Sequence, residues 1–239
     1  MEKLKGPVPL SAFYVLTLGT LLLLVIWGSR AVSVISENMP VSRSCCYVID
    51  PGHGGIDGGA TSCTGILESK FNLDISLKLN DLLHFLGYET KLIRNGDYSV
   101  YTEGSTIAAQ KVSDLKERLR IANSTENAVY VSIHQNYFSD SRYYGPQIFC
   151  ADTPGSAELA RLLQANLNAM LAPESNRQSK LGQGIYLLER IKCTGILIEC
   201  GFISNPKDEA LLRNPDYQNK LCGIIAFCLI SSSSKTEHA

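Results

Sequence analysis

Short β-rich segments alternate with helix-patterned segments from Cys45 to Ile230, and this alternation constrains the fold more than any other feature of the chain. Strands that are joined through helices typically line up in parallel, in a sheet that the helices cover. The pattern therefore predicts an α/β fold, a single domain with a largely parallel twisted sheet flanked by helices. Strands are predicted at 46–50, 88–93, 128–133, 147–151, 185–188 and 194–198, and helices at 69–86, 113–123, 156–171 and from 215 onward.

An uncharged apolar segment, Pro7 to Trp27, precedes this domain. At about 1.5 Å per residue, a helix of that length can span the hydrocarbon core of a bilayer. Lys3 and Lys5 lie before it and favour a cytoplasmic N-terminus, which leaves the rest of the chain extracytoplasmic. We therefore predict one N-terminal transmembrane helix, a membrane anchor or uncleaved signal, over residues 1–28. The alternative is a signal peptide cleaved near residues 28–31, which would make the protein secreted.

Composition predicts how the rest of the chain is organised, and the net charge argues against one class of partner. Residues 29–44 are mostly polar and predict a linker, residues 45–230 form the folded domain, and the serine-rich residues 231–239 predict a disordered tail. The 22 basic and 23 acidic side chains give a net charge of −1. Because there is no basic excess to neutralise a phosphate backbone, the sequence argues against nucleic acid as a partner.

Polar side chains follow three of the predicted strands, at the sheet edge where α/β proteins bind ligands. His53 lies in a glycine-rich turn after the first strand, and His134 ends the strand that begins at residue 128. Glu199 ends an apolar strand, where an unpaired charge is costly and a cationic partner is expected. These three residues are the first candidates for a functional site.

Two strand-end histidines with nearby acids suggest a catalytic zinc site, which usually has three protein ligands and an open fourth position. Glu68 is the candidate for the third ligand, because it lies close to His53 in the sequence, just before the first helix. No compact zinc pattern such as HExxH is present, so ordinary polar positions remain an alternative. Asp50 either fixes the turn before His53 or orients its imidazole.

Four motifs resemble those of one enzyme family. They are IDPGHGGxDGGA at 49–60, GxxExxxN at 65–72, SIHxN at 132–136 and ExGFxSNxxxE at 199–209. Together, and in this order, they resemble the zinc-dependent N-acetylmuramoyl-L-alanine amidases of the Amidase_3 family. The resemblance implies that the domain hydrolyses the amide that joins N-acetylmuramic acid to L-alanine, and so detaches stem peptides from peptidoglycan glycan strands.

The resemblance also implies a role for each candidate residue. It makes His53, Glu68 and His134 the ligands of a Zn²⁺ cofactor and Glu199 the catalytic glutamate, which takes a proton from water and returns it to the departing nitrogen. Ser69 and Tyr137 depart from the residues that many family members carry there. Neither is expected to touch a proposed ligand, but both can alter metal affinity or the width of the substrate groove.

The compact anchored plan is similar to the germination-specific, spore-cortex subgroup of this family. That likeness implies a role in cortex maturation, in which stem peptides are removed so that a deacetylase can complete muramic-δ-lactam. The expected partners are peptidoglycan, the membrane through the N-terminal helix and an activating protein. Two other functions stay open: a zinc peptidase that cuts stem peptides, and an inactive or partner-dependent wall-binding protein.

Overall fold

Six strands form one sheet in the computed structural model, which describes residues 45–236. The sheet order is β2-β1-β3-β6-β4-β5, and every neighbouring pair is parallel except β4 and β6. The predicted α/β domain with a mostly parallel sheet is therefore confirmed. The strands are β1 (Cys46–Pro51), β2 (Glu89–Leu92), β3 (Ala128–Asn136), β4 (Gln147–Cys150), β5 (Lys180–Leu181) and β6 (Thr194–Phe202).

Five helices cover the sheet in the described part of the chain. They are α1 (Glu68–Phe85), α2 (Ile107–Asn123), α3 (Ser156–Leu171), α4 (Pro206–Leu212) and α5 (Pro215–Thr236). The crossovers β1-α1-β2 and β2-α2-β3 run in opposite directions across the sheet. Because such crossovers are right-handed, α1 and α2 lie on opposite faces. On its own face, α1 packs against α5, which also packs against α3.

The three central parallel strands bring their carboxyl ends to one edge. In the register of the sheet, Asp50 of β1 pairs with Ser132 of β3, and His134 of β3 pairs with Glu199 of β6. The β3–β6 register shifts immediately afterwards, between His134 and Asn136. The edge that the sequence predicted as the functional one thus carries His134 and Glu199 side by side.

Two predicted elements differ from the structure. The segment 185–188 is not a strand: its backbone bonds are local, as in Glu189 N–H to the Ile185 carbonyl, and Leu187 and Leu188 are buried over one face of the sheet. A short apolar run has the same sequence pattern whether it forms a buried strand or a buried helical turn. Helix α2 begins at Ile107 rather than at 113, because the Thr106 side chain accepts from Ala109 N–H and caps it.

The C-terminal tail prediction was wrong for residues 231–236, since α5 continues as a helix to Thr236. Ser233 is the physical reason, because its hydroxyl bonds Tyr47 at 3.0 Å and the Leu229 carbonyl at 3.1 Å. Between residues 45 and 236, no helix is long and apolar enough to cross a membrane. The predicted anchor at 1–28 and linker at 29–44 lie outside the described residues, so both stay predictions.

Candidate active site

Three of the residues singled out in the sequence converge at the carboxyl edge of the sheet. His53 Nε2 lies 3.3 Å from Glu68 Oε2, and His134 Nδ1 lies 2.9 Å from Glu68 Oε1. One potential ligand atom from each residue falls within 4.8 Å of the others, so the group can hold a metal ion. The structure therefore brings together the predicted ligand set of His53, Glu68 and His134.

Glycines make this convergence sterically possible. A Cβ atom at Gly52 would lie 2.2 Å from His134 Nε2, and a Cβ at Gly59 would lie 2.6 Å from Glu68 Oε2. Real side chains cannot approach so closely, and glycine is the residue that allows the backbone to pass there. Two glycines of the motif at 49–60, Gly52 and Gly59, are thus explained by the packing of the ligands against the backbone.

Glu68 is the electrostatic centre of the cluster. Its side chain also accepts from Ala60 N–H at 3.1 Å and Gln135 N–H at 3.2 Å, and the residue is only 4% exposed. Burial opposes its ionisation, but the hydrogen bonds and charges of His134 and His53 hold its pKa far below the usual range. Glu68 is therefore a fixed carboxylate, ready to bind a cation.

Asp57 supports His53 from the other side of the ring. Its Oδ2 lies 2.8 Å from His53 Nδ1, and its Oδ1 accepts from Lys111 Nζ at 2.8 Å. Burial alone lowers the pKa of His53, but Glu68 and Asp57 outweigh it and raise this pKa to about 9. A carboxylate on the second ring nitrogen orients a metal-binding histidine and fixes its tautomer.

Glu199 lies beside the cluster without a partner for one of its oxygens. Its Oε2 is buried and has no hydrogen bond within the described chain. Burial, with a contribution from Glu68, raises the pKa of Glu199 to about 7, although the charges of His134 and His53 act against the rise. The cationic partner expected from the sequence is absent, since none of the ion pairs of residues 45–236 includes Glu199.

Of the two roles predicted for Asp50, the structure does not support the one in which it orients the His53 imidazole, because its hydrogen bonds go to other residues. It is fully buried, and it accepts from the Arg118 guanidinium, the Tyr130 hydroxyl and, at 3.4 Å, the Ser132 hydroxyl. Arg118 also donates to the main-chain carbonyl of His53 at 2.7 Å. Asp50 thus fixes the turn before His53 through Arg118, while Asp57 contacts the ring.

A cavity of about 210 Å³ opens beside the two histidines, on the face of the sheet that α2 covers. Its lining combines apolar and charged side chains, including Ile56, Leu115, Leu187, Lys111 and Asp114. Its position next to His53 and His134 makes it a candidate space for a substrate.

Sequence reasoning missed several residues that build the site. Asp57 lies four positions after His53 inside the quoted motif, and that spacing was the available signal. Asn72, also in a quoted motif, donates to Glu68 Oε1 at 3.3 Å and to the Gly52 carbonyl at 3.1 Å. Arg118 carried no such signal, because nothing in its helix pattern shows that it reaches β1.

Three convergent side chains that can hold a metal ion, beside a carboxylate with one buried and unpartnered oxygen, define the class: an α/β enzyme whose site is suited to metal-assisted hydrolysis. The chain belongs to the N-acetylmuramoyl-L-alanine amidase family, whose family model matches residues 48–230. Its activity is accordingly that of an amidase acting on peptidoglycan.

Relatives and solved structures agree with this assignment. The germination-specific N-acetylmuramoyl-L-alanine amidase of Bacillus subtilis is 34% identical over 190 residues, which are 79% of this chain and 79% of that protein. The structure of the CwlD amidase from Clostridioides difficile, solved in complex with the GerS lipoprotein, is 36% identical with a TM-score of 0.75 and covers 79% of this chain and 98% of that one. An N-acetylmuramoyl-L-alanine amidase from Clostridium difficile 630 is 29% identical with a TM-score of 0.69, covering 81% of this chain and 98% of that one.

Proposed function

We propose that this amidase uses zinc to hydrolyse the bond between N-acetylmuramic acid and L-alanine, in the maturation of spore cortex. The observation that carries the zinc proposal is the cluster of His53, Glu68 and His134 next to the unpaired Glu199. The observation that favours the cortex is the likeness to germination-specific relatives over most of the domain.

The donor set fits zinc rather than a hard cation that prefers oxygen ligands. Two imidazoles and one carboxylate are the ligand types that catalytic zinc sites use, whereas Mg²⁺ and Ca²⁺ prefer oxygen ligands alone. The carboxylate of Glu68 is ionised, and its charge offsets part of that of a divalent cation. The orphaned Oε2 of Glu199 adds a second negative group beside the same space once it ionises. The residues present therefore fit the ion.

Each residue has a defined task in the hydrolysis. His53, Glu68 and His134 hold the ion, and Asp57 keeps the His53 ring in the orientation that turns Nε2 toward Glu68. The chemistry that zinc supplies when bound is acidification of a water molecule, to a pKa of roughly 7, and polarisation of the scissile carbonyl.

Glu199 moves the proton. It accepts a proton from the water whose oxygen attacks the lactyl carbonyl carbon, and it delivers that proton to the L-alanine nitrogen as the carbon–nitrogen bond breaks. The products are a free lactyl carboxyl group and a free L-alanine amine. In the metal-free chain burial raises the pKa of Glu199 to about 7, and a divalent cation bound beside it would lower that pKa and favour the ionised form that takes the proton from water.

The N-terminal segment and the likeness to germination-specific relatives support a proposed place of action. We propose that residues 1–28 anchor the protein, with the domain on the extracytoplasmic side, in the space where spore peptidoglycan is modified. Removal of stem peptides there prepares the muramic acid for a deacetylase that completes muramic-δ-lactam. The complex of the Clostridioides difficile relative with a lipoprotein supports an activating protein partner for this chain as well.

Product analysis tests the proposal. The full chain, purified in mild detergent, is incubated with peptidoglycan with and without added zinc, and the products are identified by mass spectrometry. We expect stem peptides with a free L-alanine amine, formed only with zinc, and none from Glu199→Gln. Cuts within the stem peptide would identify a peptidase instead, and intact peptidoglycan from a zinc-loaded folded chain would point to a wall-binding role or a required partner.

A further inference from the structure

Arg94 is a buried cation whose hydrogen bonds all go to the main chain. It follows β2 and is only 1% exposed. Its Nε donates to the Pro51 carbonyl at 2.8 Å, and its Nη1 donates to the Gly96 carbonyl at 2.9 Å. Among the ion pairs of residues 45–236, none includes Arg94. A buried charge without a carboxylate partner is costly, so stability alone is a poor reason for it.

The remaining terminal nitrogen of Arg94 joins two segments that carry the site. Nη2 donates to the Gly52 carbonyl at 2.9 Å and to the Ser69 carbonyl at 2.9 Å. Gly52 immediately precedes His53, and Ser69 immediately follows Glu68. One nitrogen therefore sets the distance between the turn that carries the first histidine and the helix turn that carries the glutamate.

The same contact extends to the third side chain of the cluster. Gly52 lies directly against the His134 ring, so that a Cβ there would be 2.2 Å from Nε2. A shift of the Gly52 carbonyl consequently moves the backbone against which the His134 imidazole packs. Arg94 therefore acts on His53, Glu68 and His134 through the backbone, since none of its hydrogen bonds goes to their side chains.

Arginine suits this task better than lysine. A guanidinium presents five N–H donors in a rigid plane, and this geometry can serve four carbonyls that surround it at once. Arg118, the other buried arginine of residues 45–236, donates to the carbonyls of Pro51 and His53 but also pairs with the carboxylates of Asp50 and Asp114. Arg118 holds the turn after β1 but makes no hydrogen bond to α1, whereas Arg94 connects that turn to α1.

We propose that Arg94 is a positioning residue, which holds the His53 turn and the first turn of α1 at the spacing that lets His53, Glu68 and His134 bind one metal ion together. The inference rests on the proposed zinc function and adds a residue that acts only through the ligands. Supporting residues of this kind commonly change metal affinity by about 10- to 100-fold when they are replaced.

Zinc affinity of the Arg94→Lys variant provides the test. Lysine keeps the charge but has a single nitrogen, so it cannot reproduce the bridge between Gly52 and Ser69 together with the bonds to Pro51 and Gly96. The metal-free full chain, wild type and variant, is titrated with zinc against a chromophoric chelator at a temperature where circular dichroism shows both folded. We expect the zinc dissociation constant of the variant to rise by about tenfold or more.

Two control variants separate positioning from general effects. Arg120→Lys repeats the chemical change at an exposed arginine that pairs with Glu117, and Leu163→Ala lowers stability from a fully buried position on α3. Both are expected to bind zinc like the wild type. A smaller than tenfold change in Arg94→Lys, or an equal loss of affinity in Leu163→Ala, would overturn the inference. Failure of the wild type itself to bind zinc would instead overturn the proposed function.

A rescue experiment covers the case in which Arg94→Lys does not fold. Arg94→Ala removes the guanidinium and leaves space that a small cation can enter. We expect zinc affinity and folding to recover together in millimolar guanidinium but not in ammonium. Equal recovery in both salts, or recovery of folding without zinc affinity, would contradict the positioning role.

Discussion

Two carboxylates at the same edge of the sheet, the fully buried Asp50 and the half-buried Glu199, have opposite surroundings. Asp50 on β1 accepts from Arg118, Tyr130 and Ser132, and these partners outweigh burial and keep its pKa below the usual range. Glu199 on β6, two strands away, has a buried oxygen without any partner, and burial raises its pKa to about 7.

The difference separates a structural carboxylate from a reactive one. A buried charge with all its hydrogen bonds made is compensated for its loss of water, and removing one partner leaves the other uncompensated. A buried carboxyl with an unmade bond costs stability, and a protein keeps such a group where the open position serves a ligand or a proton transfer. Asp50 thus fixes the fold around His53, and the unmade bond of Glu199 fits the proton-transfer role proposed for it.

We expect the largest loss of activity when a predicted metal ligand is removed. In His134→Ala, we expect zinc below stoichiometric amounts and no measurable amidase activity, because one of the three side chains of the cluster is gone. Elemental analysis of the purified full chain measures the zinc. Retention of one zinc per chain would remove His134 from the ligand set.

Glu199→Gln tests the reactive carboxylate itself. The variant keeps the shape of the side chain but cannot carry a proton between water and the leaving nitrogen, so kcat should fall by about 10²- to 10⁴-fold or more. Zinc content should stay at the wild-type value, because the cluster does not include Glu199. Substantial residual turnover, measured by release of L-alanine amines from peptidoglycan, would end its assignment as the catalytic glutamate.

Asp50→Asn tests the structural carboxylate. Because Arg118 is only 2% exposed, loss of the charge on Asp50 leaves the guanidinium with a single carboxylate, that of Asp114. We expect the free energy of unfolding to fall by about 3 to 5 kcal/mol in urea titrations. In the folded variant, kcat should fall less than in Glu199→Gln. The comparison fails if Asp50→Asn is as stable as the wild type.

We expect the smallest effect in the pH dependence of stability, where Glu199 and Asp50 contribute in opposite directions. Glu199 has a folded pKa of about 7, above its usual 4.5, so its contribution to stability is present below the usual pKa and is lost as pH rises through about 7. Asp50, with a lowered pKa, loses its contribution only as pH falls below its usual range.

Glu199→Gln isolates that effect in the metal-free chain. Between about pH 5 and pH 8 the wild type should lose about 1 to 3 kcal/mol more stability than the variant, measured by urea unfolding in the presence of a chelator. Taking the difference cancels the contribution of His53, whose pKa is also raised. Identical pH profiles for the two proteins would show that Glu199 is not held in a buried, uncompensated state.

The sequence predicted the site more completely than the contacts that support it. His53, His134 and Glu199 could be found because parallel strands end at one edge and because polar residues stand out after apolar runs. Arg94 and Arg118 contact the site from elements distant in the chain, and a helical or strand period says nothing about which turn a long side chain reaches. Asp57 was missed although its spacing from His53 lay within the quoted motif. The segment 185–188 was predicted wrongly for a related reason, since burial there comes from tertiary packing.

X-ray absorption spectroscopy of the zinc-loaded full chain tests the central claim most directly. The account predicts nitrogen and oxygen ligation with two imidazoles in the wild type, the same protein ligands in Glu199→Gln, and loss of one imidazole in His134→Ala. Sulfur ligation from any of the eight cysteines, or a change of protein ligands in Glu199→Gln, would contradict it.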